Sequence, residues 1–148
     1  YAKAKLAIAT RGEGLKSAET RRALMIYDQP IGRMEWGTAK TFAAMTGRPS
    51  TALARMCDAL RPIDKLIVEA TFVRGKPDNS TDSEVRNWIK RIADLSPKEV
   101  HIGTLPASTK RSAPMRPITA TRLEQIASKV TDETGIPVTL LDLEAALV

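Results

Sequence analysis

The chain of 148 residues has one cysteine, Cys57, and one histidine, His101. A single thiol excludes an intramolecular disulfide framework and any metal or iron–sulfur site built from two or more cysteines of this chain. One imidazole leaves few nitrogen ligands for zinc, so no metal ligands are assigned. Aromatic residues make up 4%, which argues against base stacking as a main mode of contact. No apolar run approaches the roughly 20 residues needed to span a bilayer. Nothing near Tyr1 has the layout of a signal peptide. These absences lead us to expect a cytoplasmic protein of a reducing compartment, with no membrane partner. The chain opens on Tyr1 instead of methionine, so a fragment or a trimmed chain is expected. Lys and Arg are also absent from residues 132–148, which carry Asp132, Glu133, Asp142 and Glu144.

The basic residues are therefore concentrated earlier. Residues 1–131 hold all 23 Lys and Arg against 13 Asp and Glu, a balance of +10, and the tail contributes −4 to the net +6. Such a body admits phosphate-bearing or nucleic-acid partners, because Lys and Arg neutralise phosphates and release counterions. Solubility alone is an equally good reason for the charge. The length corresponds to one domain at about 100–200 residues each. With 43% hydrophobic residues the chain can bury a core.

Short β-rich runs alternate with helical periods. Residues 5–10 (KLAIAT) read as a strand, and Ser17 reads as the cap of a helix that ends before Pro30. Residues 30–35 form a poorer strand, weakened by Gly32. Thr38 opens a short helix that Gly47 closes. Ser50 is the expected cap of the next, whose Leu53, Met56, Cys57 and Leu60 share one face. That places Cys57 in the core. Residues 66–73 (LIVEATFV) are the best strand, and the loop 74–80 leads into a helix with Val85, Trp88, Ile89, Ile92 and Leu95 inward and Asp82 and Glu84 in its first turn. Residues 100–104 are a further strand, 105–117 a long proline-containing loop, and Thr121 with Glu124 a capping box ahead of a last helix. Residues 138–141 (VTLL) close the pattern. The rhythm is one of repeated βα units with right-handed crossovers, in an open sheet or a barrel. In either, function gathers at the carboxyl ends of the strands. Arg11, Arg33 and Arg74 would meet there as an anion clamp, unless each is merely a solvated loop arginine.

The strand ends read Thr10-Arg11-Gly12, then Met34-Glu35-Trp36-Gly37-Thr38 followed by Gly47-Arg48-Pro49, then Phe72-Val73-Arg74-Gly75 with Asp78-Asn79, then Val100 to Pro106. In this order they resemble the later part of a radical S-adenosylmethionine barrel, from about Leu6 to Val130. The resemblance implies that residues 1–148 are a single domain. It would be the C-terminal part of a partial (β/α)6 barrel, an α/β half-barrel of about four parallel core strands plus a C-terminal extension strand. It further implies an S-adenosylmethionine site with Glu35 on the ribose side and Phe72, Val73, Arg74 and Gly75 on the adenine side. Thr104 lies on the last core strand, and Arg11 and Arg33 would meet an anionic group. The family's T-N-G asparagine is Arg11 here, and its serine and aspartate on the next strand are Arg33 and Glu35. Arg33 could therefore pair with Glu35 and block the site. The family's three-cysteine loop and glycine-rich segment have no counterpart, so a [4Fe–4S] cluster is not held by this chain and no catalytic residue is assigned.

Three functions follow. The first is the C-terminal fragment of such an enzyme, inactive alone and completed by the missing N-terminal half. The second is a stand-alone half-barrel binding a nucleotide, phosphate or nucleic acid through its basic mouth. The third is an assembly module. Four strands cannot close a barrel, so two open edges favour a homodimer. The uncovered face is expected to be partly apolar, from Ile67, Ala70, Val100 and Ile102. Residues 143–148 are an alternative cover for it.

Overall fold

The computed structural model describes residues 7–10, 19 and 29–141. The expected helix after Ser17, Arg11 of the clamp and the tail 143–148 lie outside them. Five strands form one parallel sheet: β1 (Ala7–Thr10), β2 (Gln29–Arg33), β3 (Ile67–Gly75), β4 (Glu99–Thr104) and β6 (Val138–Leu140), side by side in that order. The sheet is open, with β1 and β6 at its edges. The expected four core strands and extension strand are all present. Inside the loop 105–117 is a strand the sequence pattern did not suggest. This β5 (Met115–Pro117) runs antiparallel to the far end of β3, pairing Val73 with Pro117, Arg74 with Arg116 and Gly75 with Met115. Three residues, one of them a proline, carry no strand periodicity of their own.

Four helices are described: α1 (Ala39–Thr46), α2 (Ala52–Leu60), α3 (Asp82–Leu95) and α4 (Ala120–Thr134). Thr38 caps α1 by accepting the amide of Thr41, and Gly47 ends it in the left-handed region at φ 70°. Thr81 caps α3 in the same way through the amide of Glu84. Two caps differ from expectation. Thr51 opens α2, without a side-chain cap bond, in place of Ser50. Thr119 opens α4 by accepting the amide of Arg122, two residues before the expected Thr121.

The strand registers divide the sheet into two unlike faces, because successive side chains point to opposite sides. Val68, Ala70 and Phe72 of β3 and Val100 and Ile102 of β4 lie on one side, fully buried, in a cluster with Phe42, Leu53, Leu60, Trp88, Ile92, Ile126 and Val130 of the helices. Trp88 stands edge-on to Phe72 at 4.9 Å, and its indole N–H donates to Met34 O at 2.8 Å. Gly32, a weakness in a strand read alone, is a packing requirement here. A Cβ there would come within 2.8 Å of Leu60 Cδ2.

The other side is largely polar, although Ile67 and Val73 lie on it, so the expected partly apolar face rests on different residues from most of those named. Of the four residues named for it, Ala70, Val100 and Ile102 belong to the helix-covered side. Ile67 alone lies on the opposite one, buried but outside the core cluster. That side carries Arg33, Glu69, Thr71, Glu99 and His101. In register, Arg33, Glu69, His101 and Thr139 form a row across four strands.

Candidate functional site at the carboxyl ends of the strands

Two buried polar side chains build the mouth of the sheet. Asn79, 1% exposed, donates through Nδ2 to Glu35 O at 2.8 Å and Thr71 O at 3.0 Å, while Oδ1 accepts the amide of Val73 at 2.7 Å. It joins the segment beyond β2 to β3 and fixes the start of the 74–80 loop. Its neighbour Asp78 accepts from the amide and hydroxyl of Ser80, both at 2.8 Å. Glu84 is the second. Its carboxylate, 8% exposed, accepts the amides of Gly37 at 3.0 Å and Thr38 at 3.3 Å and the hydroxyls of Thr38 and Thr41 at 2.5 and 2.9 Å. A negative charge thus sits against the N-terminus of α1, where orphan amides and the helix dipole favour it. The sequence reading had placed Glu84 in service of its own helix; its partners lie 43–47 residues away. Gly37 allows the approach, since a Cβ there would fall 2.1 Å from Glu84 O.

On the polar face, Arg33 is held between two carboxylates. Nη1 donates to Glu69 Oε1 at 2.9 Å, and Nη2 donates to Thr71 Oγ1 at 3.1 Å and to Glu35 Oε1. Glu35 Oε1 also accepts the amide of Thr71 at 3.1 Å. The pairing of Arg33 with Glu35, weighed from sequence as a block on the site, is therefore formed. Arg33 lies between anions already and does not meet Arg74, which sits on the opposite parity of β3. Arg74 is exposed and donates Nε to Pro117 O at 3.1 Å.

The other expected site residues are placed as follows. Phe72 is fully buried under Trp88, in the core and not at the rim. Val73 is buried, with its amide taken by Asn79. Gly75 adopts φ 118°, where a Cβ would meet Pro114 O at 2.1 Å, so glycine is required for β5 to lie against β3. Thr104 is a clamp. Its hydroxyl donates to Phe72 O at 2.7 Å and accepts the amide of Ile118 at 2.9 Å. His101 Nε2 lies 3.3 Å from Glu99 Oε2. Arg33, Glu35, Trp36, Met45, Thr46 and Met115 line a cavity of about 240 Å³. The indole N–H of Trp36 is buried without a hydrogen-bond partner among the described residues. Asn79 and Trp36 were visible in the sequence only as parts of short motifs, and nothing local marked Met115.

A parallel sheet left open, with helices on one side and polar groups at the strand ends of the other, is similar in fold to part of a radical S-adenosylmethionine barrel. Solved structures give that likeness its particulars. A domain of a pyruvate-formate lyase-activating enzyme from Bacteroides vulgatus matches 92% of this chain and 80% of its own length, with a TM-score of 0.69 and 14% identity. SuiB of Streptococcus suis, in a structure with S-adenosylmethionine bound, matches 92% of this chain at TM-score 0.68 and 11% identity. A radical SAM methyltransferase from Sphaerobacter thermophilus matches 91% at TM-score 0.57 and 14% identity. The chain spans 32% of the SuiB chain and 39% of the methyltransferase. No family model and no curated protein matches the sequence.

The residues do not fit an iron–sulfur cluster. Cys57 is packed in the core with its thiol 3.7 Å from Met34 Sδ, and burial pushes that thiol up from its ordinary pKa. A thiol kept neutral is a poor metal ligand. Among the described residues no three His, Cys, Asp or Glu side chains are grouped as a metal would need, and no helix is long and apolar enough to cross a membrane. The cavity is small. At about 240 Å³ it falls below the roughly 300–1,000 Å³ of complete small-molecule sites.

Proposed function

We propose that this chain is the C-terminal part of a radical S-adenosylmethionine barrel, supplying one wall of the S-adenosylmethionine and substrate site and performing no cleavage alone. The observation that carries the reading is the match over 92% of the chain to a structure holding S-adenosylmethionine, combined with a polar face and a cavity at the carboxyl ends of β2 and β3. Glu35 lines that cavity and would accept from ribose hydroxyls, with Trp36, Met45 and Met115 as apolar walls. Val73 to Gly75 and Thr104 hold the adjoining backbone in place. The cofactor, when bound, is the source of a carbon radical on reduction by a cluster that another segment must hold. This chain's residues bind and orient.

The remaining surface would come from a separate N-terminal half or from a second copy, since the unpaired edge of β1 accepts either. Light scattering separates the two: a homodimer scatters at twice the chain mass, and a chain awaiting its other half scatters as a monomer. Calorimetric titration with S-adenosylmethionine and S-adenosylhomocysteine tests the site. Glu35→Ala should weaken binding by about 1–3 kcal/mol, the cost of a lost charged hydrogen bond. Unchanged affinity in that variant, with its fold intact by circular dichroism, would move the site away from the cavity.

A further inference from the structure

The antiparallel β3–β5 pair carries an arrangement that folding does not explain. Arg74 and Arg116 stand directly opposite each other across the antiparallel pair. Like charges in that position are destabilising. Lys76 lies just beyond the end of β3, and Lys110 and Arg111 lie in the segment leading into β5. Arg74, Lys76, Lys110 and Arg111 are all exposed. Neither residues 72–77 nor residues 104–119 contain an Asp or Glu.

Elsewhere three of the described arginines find carboxylates. Arg61 pairs with Asp58 and Asp94 at 2.7 and 2.5 Å, Arg122 with Asp82 at 2.9 Å, and Arg33 with Glu35 and Glu69. None of these five cations forms an ion pair with a described residue. Met115 points into the cavity and Arg116, its neighbour, to the other side of the strand, so this basic surface is separate from the proposed cofactor wall.

We propose that the outer end of the β3–β5 pair, with Lys76, Lys110 and Arg111, is a docking surface for the phosphate backbone of a nucleic acid, bound without reading its bases. Three of the five cations are arginines, whose planar fork matches phosphate oxygens in pairs. Arg74 and Arg116 are paired across two strands about 4.8 Å apart, and Lys76 follows just past the end of β3. A regularly spaced polyanion satisfies all three. An acidic polypeptide is a poorer occupant, because Pro114 and Pro117 remove the amides with which β5 would pair an added strand. A lipid surface is poorer still. Among the described residues the one exposed large hydrophobic side chain, Leu140, is on β6 at the far edge of the sheet, leaving nothing at the β3–β5 pair to insert.

Fluorescence anisotropy with a labelled 20-nucleotide oligodeoxythymidine tests this. Affinity should fall between 50 and 200 mM salt with a log–log slope of about −2 to −3.5, as for three to five phosphates on a single strand. Arg116→Glu should weaken binding about tenfold and flatten that slope. The same substitution should raise the melting temperature of the free protein, because it turns the opposed pair into one of opposite sign. A simple loss of fold cannot produce both results. The double variant Arg86→Glu, Lys90→Glu removes more charge from the exposed side of α3 and should bind as the parent does. The proposal fails if Arg116→Glu binds normally, if the α3 variant loses as much, or if a glutamate homopolymer or phosphatidylserine vesicles compete as well as the oligonucleotide.

Discussion

Replacing Asn79 tests the construction of the mouth most sharply. Its three hydrogen bonds, at 2.7, 2.8 and 3.0 Å, satisfy one buried amide and two carbonyls that lie on different segments. Asn79→Ala leaves the Val73 amide unpaired in a site from which water is excluded, and an orphaned buried group costs about 1–3 kcal/mol. The two carbonyls have second lone pairs and lose less, so a total of about 3–4 kcal/mol is expected, a large share of a small domain's stability. Asn79→Asp is more revealing. One oxygen still accepts from Val73, but the other would face the oxygens of Glu35 and Thr71 and could bond only when protonated. The folded state therefore disfavours the charged form, raising the new carboxyl's pKa above its unfolded value of about 3.9. For a group raised on folding, the stabilising contribution is full below the unfolded pKa and is lost as pH rises through the folded one. Urea unfolding of this variant should accordingly lie close to the parent near pH 4 and fall well below it at pH 7. A variant that tracks the parent at both pH values, or an alanine variant within about 1 kcal/mol of it, would refute the role assigned to Asn79.

Gly37→Ala places a Cβ 2.1 Å from Glu84 O, backbone against backbone. The α1–α3 contact must open, at the upper end of the roughly 1–3 kcal/mol of overpacking or beyond, read as a lowered urea midpoint. Glu84→Gln keeps one acceptor but removes the charge beside the start of α1, and should cost about 1–3 kcal/mol by the same measurement, independently of salt because the site is buried. Burial holds the Cys57 thiol neutral, with its pKa above the ordinary value. Stability should therefore decline as pH rises past about 8.5, the pKa of an unfolded thiol. Cys57→Ala should lack that component of the decline, and an unchanged pH profile would contradict the thiol's placement in the core.

Local pattern was enough for much of this protein. The β-rich runs at residues 5–10, 66–73 and 100–104, the single apolar face of Leu53, Met56, Cys57 and Leu60, and the Thr38 and Gly47 signals express periods of two to four residues. Burial of an apolar face follows directly from such periods. The order of the strand-end motifs carried the likeness to a barrel, and the alternation of strand and helix carried the parallel sheet.

Register decided the rest. Whether Ala70 or Thr71 faces the helices depends on which way β3 sits between its neighbours. Only the tertiary pairing shows that the open side carries the row Arg33, Glu69, His101, Thr139 and is largely polar. For Arg33 the sequence offered Glu35, two residues on, as a partner, but only the fold sets Glu69 beside it from 36 residues away. Glu84 read as a dipole partner of α3 until α1 was brought onto it, and β5 has no period because its strand character comes wholly from lying against the end of β3. In each case the partner lies dozens of residues off, and a hydrogen bond or ion pair forms only after packing has brought the two groups to about 3 Å, a distance that no local spacing encodes.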